Sequence, residues 1–287
     1  MKSLIKNKII QIFPIIFNIR KFNKKRVFID CKDTIMLHSI PNKANYLFYD
    51  TLEDWSKNIK NIKKVCGKIN LTIDDGYKNI KPFLDFCIKE DIGITLFVVA
   101  EKIYPYLSFI QLFRYLPKGE YEFLGYKVDF KNNNKILRER EAFLFNRYLL
   151  KNISFSEYKM LADNLIKEYN DLFQNIDEDL QLLTKEDIKY YAKFNNISIQ
   201  SHGIYHFDMS KMTDEELEFE LRSSKLEIEK LTGKKVEYFA YPYGLYNDRV
   251  VKFTKKIYKK AFIVGKDNNE FHINRIGCDN KIIKVKN

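Results

Sequence analysis

Two adjacent carboxylates and a spaced pair of histidines are the residues of this chain best suited to do chemistry. Asp74 and Asp75 directly follow an apolar run, and His202 and His206 are two of the four histidines in 287 residues. Neighbouring carboxylates repel each other unless a proton or a cation lies between them. Histidines four residues apart can reach a common point from a helical turn or a curved loop. We therefore predict one metal ion held by both imidazoles and one carboxylate, with the other carboxylate acting as a base.

The predicted ligand set is typical of catalysis. Two imidazoles and one carboxylate bind zinc and leave a position open for water, whereas structural zinc sites are closed. Cobalt, nickel or iron would fit the same ligands. Taken alone, Asp74-Asp75-Gly76 is more simply a turn after a strand, and either histidine is more simply a structural residue. Their joint occurrence favours the metal site.

Strands and helices alternate along the chain from residue 27 onward. The sequence predicts strands at 27–29, 34–37, 69–73, 94–99, 197–200, 236–241, 261–264 and near 275–276. Helices are predicted between them, including one that begins at a Thr213–Glu216 capping box and ends at Gly233. A strand, a helix and a strand in succession imply a parallel sheet, and the carboxyl ends of its strands converge on one face. Asp74, His202 and Pro242-Tyr243-Gly244 all follow strands, so we expect them to meet there.

The domain organisation predicted from this pattern is a single barrel-like α/β domain over residues 27–287, preceded by a basic and apolar segment over residues 1–26. Residues from about 105 to 183 break the alternation with two helical patterns, the second opening with a capping box at Ser154 and Glu157. We interpret this stretch as a helical insertion.

Charge and cysteine content limit the possible partners. The net charge of +12 comes from 50 Lys and Arg against 38 Asp and Glu, and it is spread along the chain. No nucleic-acid-binding motif accompanies it, so we expect no nucleic-acid partner. The four cysteines lie in or beside apolar segments without a CxxC pair, which favours buried thiols in a reducing compartment over disulfides. We expect a cytoplasmic protein, with peripheral contact to the inner membrane as an alternative and export still open.

The N-terminal segment has two readings. Lys2, Lys6 and Lys8 precede a short apolar run over residues 9–19, which is far below the length of a spanning helix. A surface segment that contacts anionic membrane and a helix packed on the domain are equally compatible with this pattern.

Three motifs together resemble the polysaccharide deacetylase (NodB-homology) family, of the carbohydrate esterase type. Leu71-Thr72-Ile73-Asp74-Asp75-Gly76-Tyr77 is similar to the first family motif, Ser201-His202-Gly203-Ile204-Tyr205-His206 to the second, and Phe239-Ala240-Tyr241-Pro242-Tyr243-Gly244 to the third. The resemblance covers roughly residues 30–280. It implies an irregular (β/α) barrel of about seven parallel strands with a helical insertion.

The resemblance also implies residue roles. Asp74 would be the general base, and Asp75, His202 and His206 would bind Zn²⁺ or another divalent metal ion. The backbone N–H of Tyr243 would stabilise the oxyanion formed during amide hydrolysis.

The chain departs from the family pattern in two places. The third motif often begins with an arginine that orients the base, and Ala240 stands there instead. We hypothesise that Arg275 replaces it by pairing with Asp74. The late histidine motif that supplies the general acid is unclear: His272 lies in the right region and is our candidate, while His38 could line the pocket but is more simply structural.

Two functions follow from different classes of protein. The first is a metal-dependent hydrolase that removes an N-acyl group, with acetyl the leading candidate, from an amino sugar of a bacterial surface glycan or its lipid-linked precursor. The second is a glycan-binding protein on the same fold that has lost catalysis, for which Ala240 and the unclear acid are the support. The complete metal set favours the hydrolase.

Overall fold

The computed structural model describes residues 9–10, 25–40, 50–100, 113, 115–131, 135–173, 181–265, 269–279 and 281–286. The chain divides into two compact units: one within 1–22 and 108–177, the other within 23–107 and 178–287. Among the described residues, no helix combines the length and apolar character needed to cross a membrane.

The described residues form thirteen strands and seven α-helices. The strands, in chain order, are β1 (Ile9–Ile10), β2 (Lys25–Ile29), β3 (Thr34–Leu37), β4 (Asn70–Ile73), β5 (Ile94–Val98), β6 (Gly119–Phe123), β7 (Tyr126–Phe130), β8 (Ile197–Ser201), β9 (Tyr238–Ala240), β10 (Lys260–Ile263), β11 (Ile273–Asn274), β12 (Ile276–Gly277) and β13 (Lys281–Val285). The helices are α1 (Leu52–Cys66), α2 (Lys81–Lys89), α3 (Lys135–Asn152), α4 (Phe155–Phe173), α5 (Lys185–Tyr191), α6 (Asp214–Thr232) and α7 (Asp248–Ile257).

An eight-stranded sheet organises the second unit, in the order β11-β10-β9-β8-β5-β4-β3-β12. Every neighbouring pair in it is parallel. The strands of its centre are short apolar runs such as Ile94–Val98, which are buried because helices cover parallel sheets. The predicted α/β barrel fold is confirmed, with eight strands where about seven were expected.

The sheet is nearly closed by a single stretch of chain. Strands β11 and β12 lie at opposite ends of the strand order, yet only Arg275 separates them in sequence. The N–H of Arg275 donates to the carbonyl of Ile263 in β10, and the N–H of Cys278 donates to Met36 in β3. Residues 273–279, which we call the closing segment, therefore bridge the two edges of the sheet. This bridge gives the barrel-like shape and brings Arg275 to its interior, where it is 3% exposed.

Local sequence determines where several helices begin and end. Capping boxes are present at the start of α1 (Thr51 with Asp54), α5 (Thr184 with Asp187) and α6 (Thr213 with Glu216). Gly233 ends α6 with a φ of 68°, a conformation that glycine adopts without steric cost. The predicted start and end of α6 are thus confirmed.

The first unit holds more strand than the sequence predicts. Strands β6 and β7 form an antiparallel hairpin, and β1 pairs parallel to β7. Helices α3 and α4 follow, and the predicted capping box at Ser154 and Glu157 is present. A cluster of phenylalanine rings with centroids 5.0 to 6.3 Å apart fills this unit: Phe113, Phe123, Phe130 and Phe145.

The N-terminal segment is extended at the positions that are described. Ile9–Ile10 is a strand and not part of a helix, and β2 begins at Lys25, before the predicted boundary. Residues 1–8 and 11–24 lie outside the described residues, so membrane contact through this segment stays a prediction.

The prediction for the cysteines is wrong for two of them. Cys31 and Cys66 form a disulfide that links the turn after β2 to the end of α1. Cys87 and Cys278 are buried free thiols, as predicted. The bonded pair is 35 residues apart, and only the tertiary structure brings the two sulfurs together.

Candidate metal centre

The first motif turns sharply out of β4 at the edge where the strands end. Asp74 donates its N–H to the carbonyl of Leu37 in the neighbouring strand β3, at 2.8 Å. Asp75 then takes a φ of 72° and Gly76 a φ of 81°. A Cβ on Gly76 would lie 3.2 Å from the Val98 side chain. The turn therefore needs glycine here both for its backbone angle and for the close approach of β5.

The carboxylate of Asp75 meets both imidazoles of the second motif. Its Oδ1 lies 3.3 Å from Nε2 of His202 and 3.3 Å from Nε2 of His206. The three side chains are buried, and their ligand atoms lie within 4.8 Å of one another. Oδ1 of Asp75 has no hydrogen-bond partner among the described residues. A buried carboxylate oxygen facing two imidazole nitrogens is the donor set of a zinc ion, so the residues fit the predicted metal.

The protonation states are those that a metal ion needs. Although burial would raise it, the neighbouring imidazoles of His202 and His206 hold the pKa of Asp75 well below its usual range. Burial lowers the pKa of His206 in spite of the nearby carboxylate. The two directions favour an ionised carboxylate and a neutral imidazole, which are the forms that metal ions bind.

A second interaction orients the first histidine. Nδ1 of His202 donates to the carbonyl of Ala240 in β9, at 2.8 Å, which leaves Nε2 free to face Asp75. Such outer partners fix the tautomer and the direction of a metal-binding imidazole. The sequence offered no sign of this contact, since it is made by a backbone carbonyl.

Backbone strain concentrates at the same place. Five non-glycine residues in the described part of the chain have a positive φ, and three of them are Asp75 (72°), His206 (47°) and Tyr243 (57°). Side-chain-bearing residues adopt this region only where surrounding structure holds them there, and such residues cluster at functional sites. All three belong to the motifs singled out from sequence.

Asp74, the carboxylate of the first motif that is not a predicted ligand, is held by an arginine of the closing segment. Arg275 reaches Asp74 with two parallel contacts, Nη1 to Oδ1 at 2.5 Å and Nη2 to Oδ2 at 2.7 Å. Both side chains are almost fully buried. Burial would raise the pKa of Asp74, but the charge and hydrogen bonds of Arg275, together with the nearby imidazoles of His202 and His38, outweigh it and lower the pKa. Asp74 is therefore held ionised, as a base must be, in one orientation.

Arg275 lies where the third motif lacks its arginine. Its guanidinium stands 5.4 Å from the ring centroid of Phe97 and 5.8 Å from that of Phe262. The same two rings pack against Ala240. Ala240 and Arg275 therefore contact the same two rings. The hypothesised contact between Arg275 and Asp74 is present.

His38 and Asp279 form an imidazole–carboxylate pair near Asp74 and Asp75. His38 follows β3, and its Nδ1 donates to Asp279 of the closing segment at 2.7 Å, while the backbone N–H of His38 donates to the same carboxylate at 3.0 Å. Burial would lower the pKa of His38, but the Asp279 charge and hydrogen bond raise it to about 10, with further contributions from Asp75 and Asp74. The side chain is 32% exposed. His38 is thus a proton donor in reach of solvent near the ligand set.

His272 is placed differently from what the sequence predicts. Its Nδ1 contacts Asn269 at 3.1 Å, and its ring stacks on Tyr246 with centroids 4.5 Å apart. Within the described residues, no contact joins it to Asp74, Asp75 or the other ligands. The acid role of His272 stays a prediction, and His38 is the histidine whose pKa the charges of Asp75 and Asp74 help to raise. The end of β3 adjoins the turn that carries Asp74, since the N–H of Asp74 donates to the carbonyl of Leu37.

The third motif contributes a strained turn next to the ligands. Tyr243 lies in a 3-10 turn after β9 with its ring 4.5 Å from that of His206, and it is 42% exposed. The ring of Tyr243 therefore lies beside a predicted ligand at the rim of the site, and the oxyanion role of its backbone N–H stays a prediction.

Comparison with known proteins agrees with the motifs. The family model described as "Polysaccharide deacetylase" matches residues 145–261. YxkH of Bacillus subtilis (strain 168), whose name assigns it to the polysaccharide deacetylases, is 31% identical over 74 residues, which cover 26% of this chain and 26% of that protein. The match thus spans about a quarter of the length of this curated relative.

Solved structures share the fold. BC0361, a polysaccharide deacetylase from Bacillus cereus, is similar with a TM-score of 0.50 at 19% identity, over 86% of this chain and 65% of that one. The Streptococcus pyogenes deacetylase PplD, solved with acetate, gives a TM-score of 0.52 at 15% identity, over 86% of this chain and 92% of that one. The predicted resemblance is thereby confirmed: in sequence motifs, family match and fold, this chain is similar to the polysaccharide deacetylases.

Proposed function

We propose that this chain is a metal-dependent hydrolase that removes an N-acyl group, with acetyl the leading candidate, from an amino sugar of a surface glycan or its lipid-linked precursor. The observation that carries the proposal is the convergence of three buried ligand atoms, from Asp75, His202 and His206, beside a second carboxylate that an arginine holds ionised. A binding fold alone has no use for that arrangement.

The reaction would divide among four groups of this chain. A divalent ion held by Asp75, His202 and His206 would supply Lewis-acid polarisation of the acyl carbonyl and would make the attacking water more acidic. Asp74 accepts a proton as the water oxygen bonds to the carbonyl carbon, and Arg275 keeps the carboxylate aimed. The N–H of Tyr243 donates to the developing oxyanion. His38, paired with Asp279, gives its proton to the nitrogen as the C–N bond breaks, so the products are a carboxylate and a free amine.

The alternative, an inactive glycan-binding protein, was suggested by Ala240 and by the unclear acid, and this chain offers a residue for each role. Ala240 suggested a missing arginine, and Arg275 contacts Asp74 instead. The acid was unclear, and the His38–Asp279 pair offers one.

Zinc analysis combined with an acyl-release assay tests the proposal. The purified chain, loaded with Zn²⁺, is assayed for acetate and formate release from N-acylated amino-sugar oligosaccharides, free and lipid-linked. Asp74→Asn is the control, since it retains the ligands and loses the base; we expect its rate to fall by about 10²- to 10⁴-fold. If the chain binds zinc but turns over none of these substrates, the result would favour the glycan-binding protein.

The location of the protein is also a proposal. The Cys31–Cys66 disulfide is typical of proteins in oxidising compartments. We therefore infer that the chain acts outside the reducing cytoplasm, in place of the cytoplasmic location predicted from sequence. Alkylation of the native protein in freshly lysed cells, before and after reduction, tests this; free thiols at Cys31 and Cys66 without reduction would contradict it.

A further inference from the structure

A buried carboxylate that the proposed reaction does not use lies beneath the second motif. Glu220 belongs to α6 and is 0% exposed. Its Oε1 accepts the backbone N–H of Ile204 at 2.7 Å and that of Tyr205 at 3.1 Å. These two residues lie between His202 and His206, so one carboxylate oxygen holds the loop that joins the two histidine ligands.

The loop is built against this carboxylate. Gly203 has a φ of 84°, and a Cβ there would lie 2.5 Å from Oε1 of Glu220. Any side chain at 203 would therefore be strained by its backbone angle and would also displace the carboxylate. Glycine at this position makes the close contact possible.

Burial of the Glu220 carboxylate lowers the stability of the fold. A buried carboxylate destabilises a fold unless cations or hydrogen bonds compensate for its lost hydration. Within the described part of the chain, Glu220 makes no salt bridge, and its Oε2 has no hydrogen-bond partner. The two hydrogen bonds to the loop are therefore the interactions that compensate for burial of Glu220.

We propose that Glu220 is a positioning residue that curves residues 203–205 so that both imidazoles face Asp75, and that it thereby sets the affinity for the metal ion. This inference rests on the proposed metal centre. Glu220 contacts no ligand directly. Its Oε1 accepts the N–H groups of both Ile204 and Tyr205. Both hydrogen bonds can form together only when the loop curves toward α6.

The test measures Zn²⁺ affinity of the apo full-length chain by competition with a chromogenic chelator. Glu220→Ala removes the acceptor, and we expect Zn²⁺ to bind about 10- to 100-fold more weakly, as for other residues that orient metal ligands. Glu220→Gln retains an acceptor oxygen in the same shape and should stay within a few-fold of the unmodified chain. Ile228→Ala is the matched control: it removes a buried side chain two turns further along α6, and we expect it to lower the melting temperature and to leave the Zn²⁺ affinity unchanged.

The absorption spectrum of bound Co²⁺ provides a second measurement. We expect altered d–d bands in Glu220→Ala and bands like those of the unmodified chain in Glu220→Gln and Ile228→Ala. If Glu220→Ala does not fold, Glu220→Met fills the same space without an acceptor and takes its place. Equal Zn²⁺ affinity in all variants would overturn the positioning role, as would Gln behaving like Ala. Failure of the unmodified chain to bind Zn²⁺ would instead overturn the metal centre itself.

Discussion

The candidate site has two sides, the ligand loops and the closing segment, and they differ in how far apart their contacting residues lie in sequence. The ligand loops, residues 74–77 and 202–206, follow strands β4 and β8 and supply Asp74 and all three ligands from two compact motifs. The closing segment, at residues 273–279, supplies Arg275 and Asp279, which contact Asp74 and His38 across more than 200 residues of chain. Spacing within a motif reveals the first side. The second depends on closure of the barrel, and of its contacts only the pairing of Arg275 with Asp74 was hypothesised from sequence.

This difference suggests a division of labour. In the proposed enzyme the ligand loops would hold the metal ion and the base, and the closing segment would set the charge and direction of the base and of the proposed acid. Variants on the closing side should therefore change rates, pH dependence and stability while the Zn²⁺ affinity stays within a few-fold. Loss of the metal ion from a closing-side variant would contradict the division.

The largest effect is expected for the proposed acid, His38, which the closing segment holds through Asp279. In His38→Gln the leaving nitrogen receives no proton from the protein, and we expect kcat to fall by about 10²- to 10⁴-fold. Zinc content, measured in parallel, should not change. His272→Gln is the control and should retain the rate, because the structure places His272 on Asn269 and Tyr246.

Removal of the arginine should damage both stability and rate. Arg275→Ala leaves Asp74 buried without its partner, and we expect the free energy of unfolding to fall by about 3 to 5 kcal/mol in urea titrations. Because the folded-state pKa of Asp74 is lowered, the stabilisation is present above the pKa of an unfolded carboxyl and is lost as the pH falls through the folded pKa. The difference between the two proteins should therefore shrink in acid.

Arg275→Lys separates charge from geometry. Lysine keeps the positive charge but cannot make two parallel contacts. Retention of full activity in this variant would show that the paired geometry at Asp74 is dispensable.

Removal of the partner of His38 should move the pH profile. His38 has a raised pKa, so its pair with Asp279 stabilises the fold below the pKa of an unfolded imidazole, and this contribution is lost as the pH rises toward about 10. The acid is likewise lost as the pH rises, which sets the alkaline limb of the kcat profile. In Asp279→Asn the raising charge is gone, and we expect that limb at lower pH. An unmoved limb would exclude His38 as the acid.

The smallest effect is expected at the exposed rim of the ligand side. If Tyr243 acts through its backbone N–H, Tyr243→Ala should cost far less than the roughly 10²-fold loss expected when an oxyanion donor is removed. Tyr243→Gly, which adopts the φ of 57° without strain, is the companion variant. A large loss in both would assign the role to the ring.

Sequence alone was enough for the alternating strands and helices, for the limits of α6 and for the residues that meet at Asp75. Each of these depends on local spacing: apolar runs define strands, Thr213 and Gly233 mark the ends of a helix, and histidines four residues apart point to one ligand set. Parallel strands then bring separate motifs to one edge without further information.

Tertiary structure decided the partners that come from distant parts of the chain, although the arginine absent from the third motif had already suggested Arg275 as a partner of Asp74. Arg275 reaches Asp74 because the barrel closes at residues 273–277, and His38 rather than His272 adjoins the base because β3 neighbours β4 in the sheet. The Cys31–Cys66 disulfide and the contact of Glu220 with residues 204–205 also join residues that are distant in sequence. Periodicity and spacing report only what lies within about a turn or a strand of a residue. Contacts across the sheet depend on strand order and closure, which no local pattern encodes.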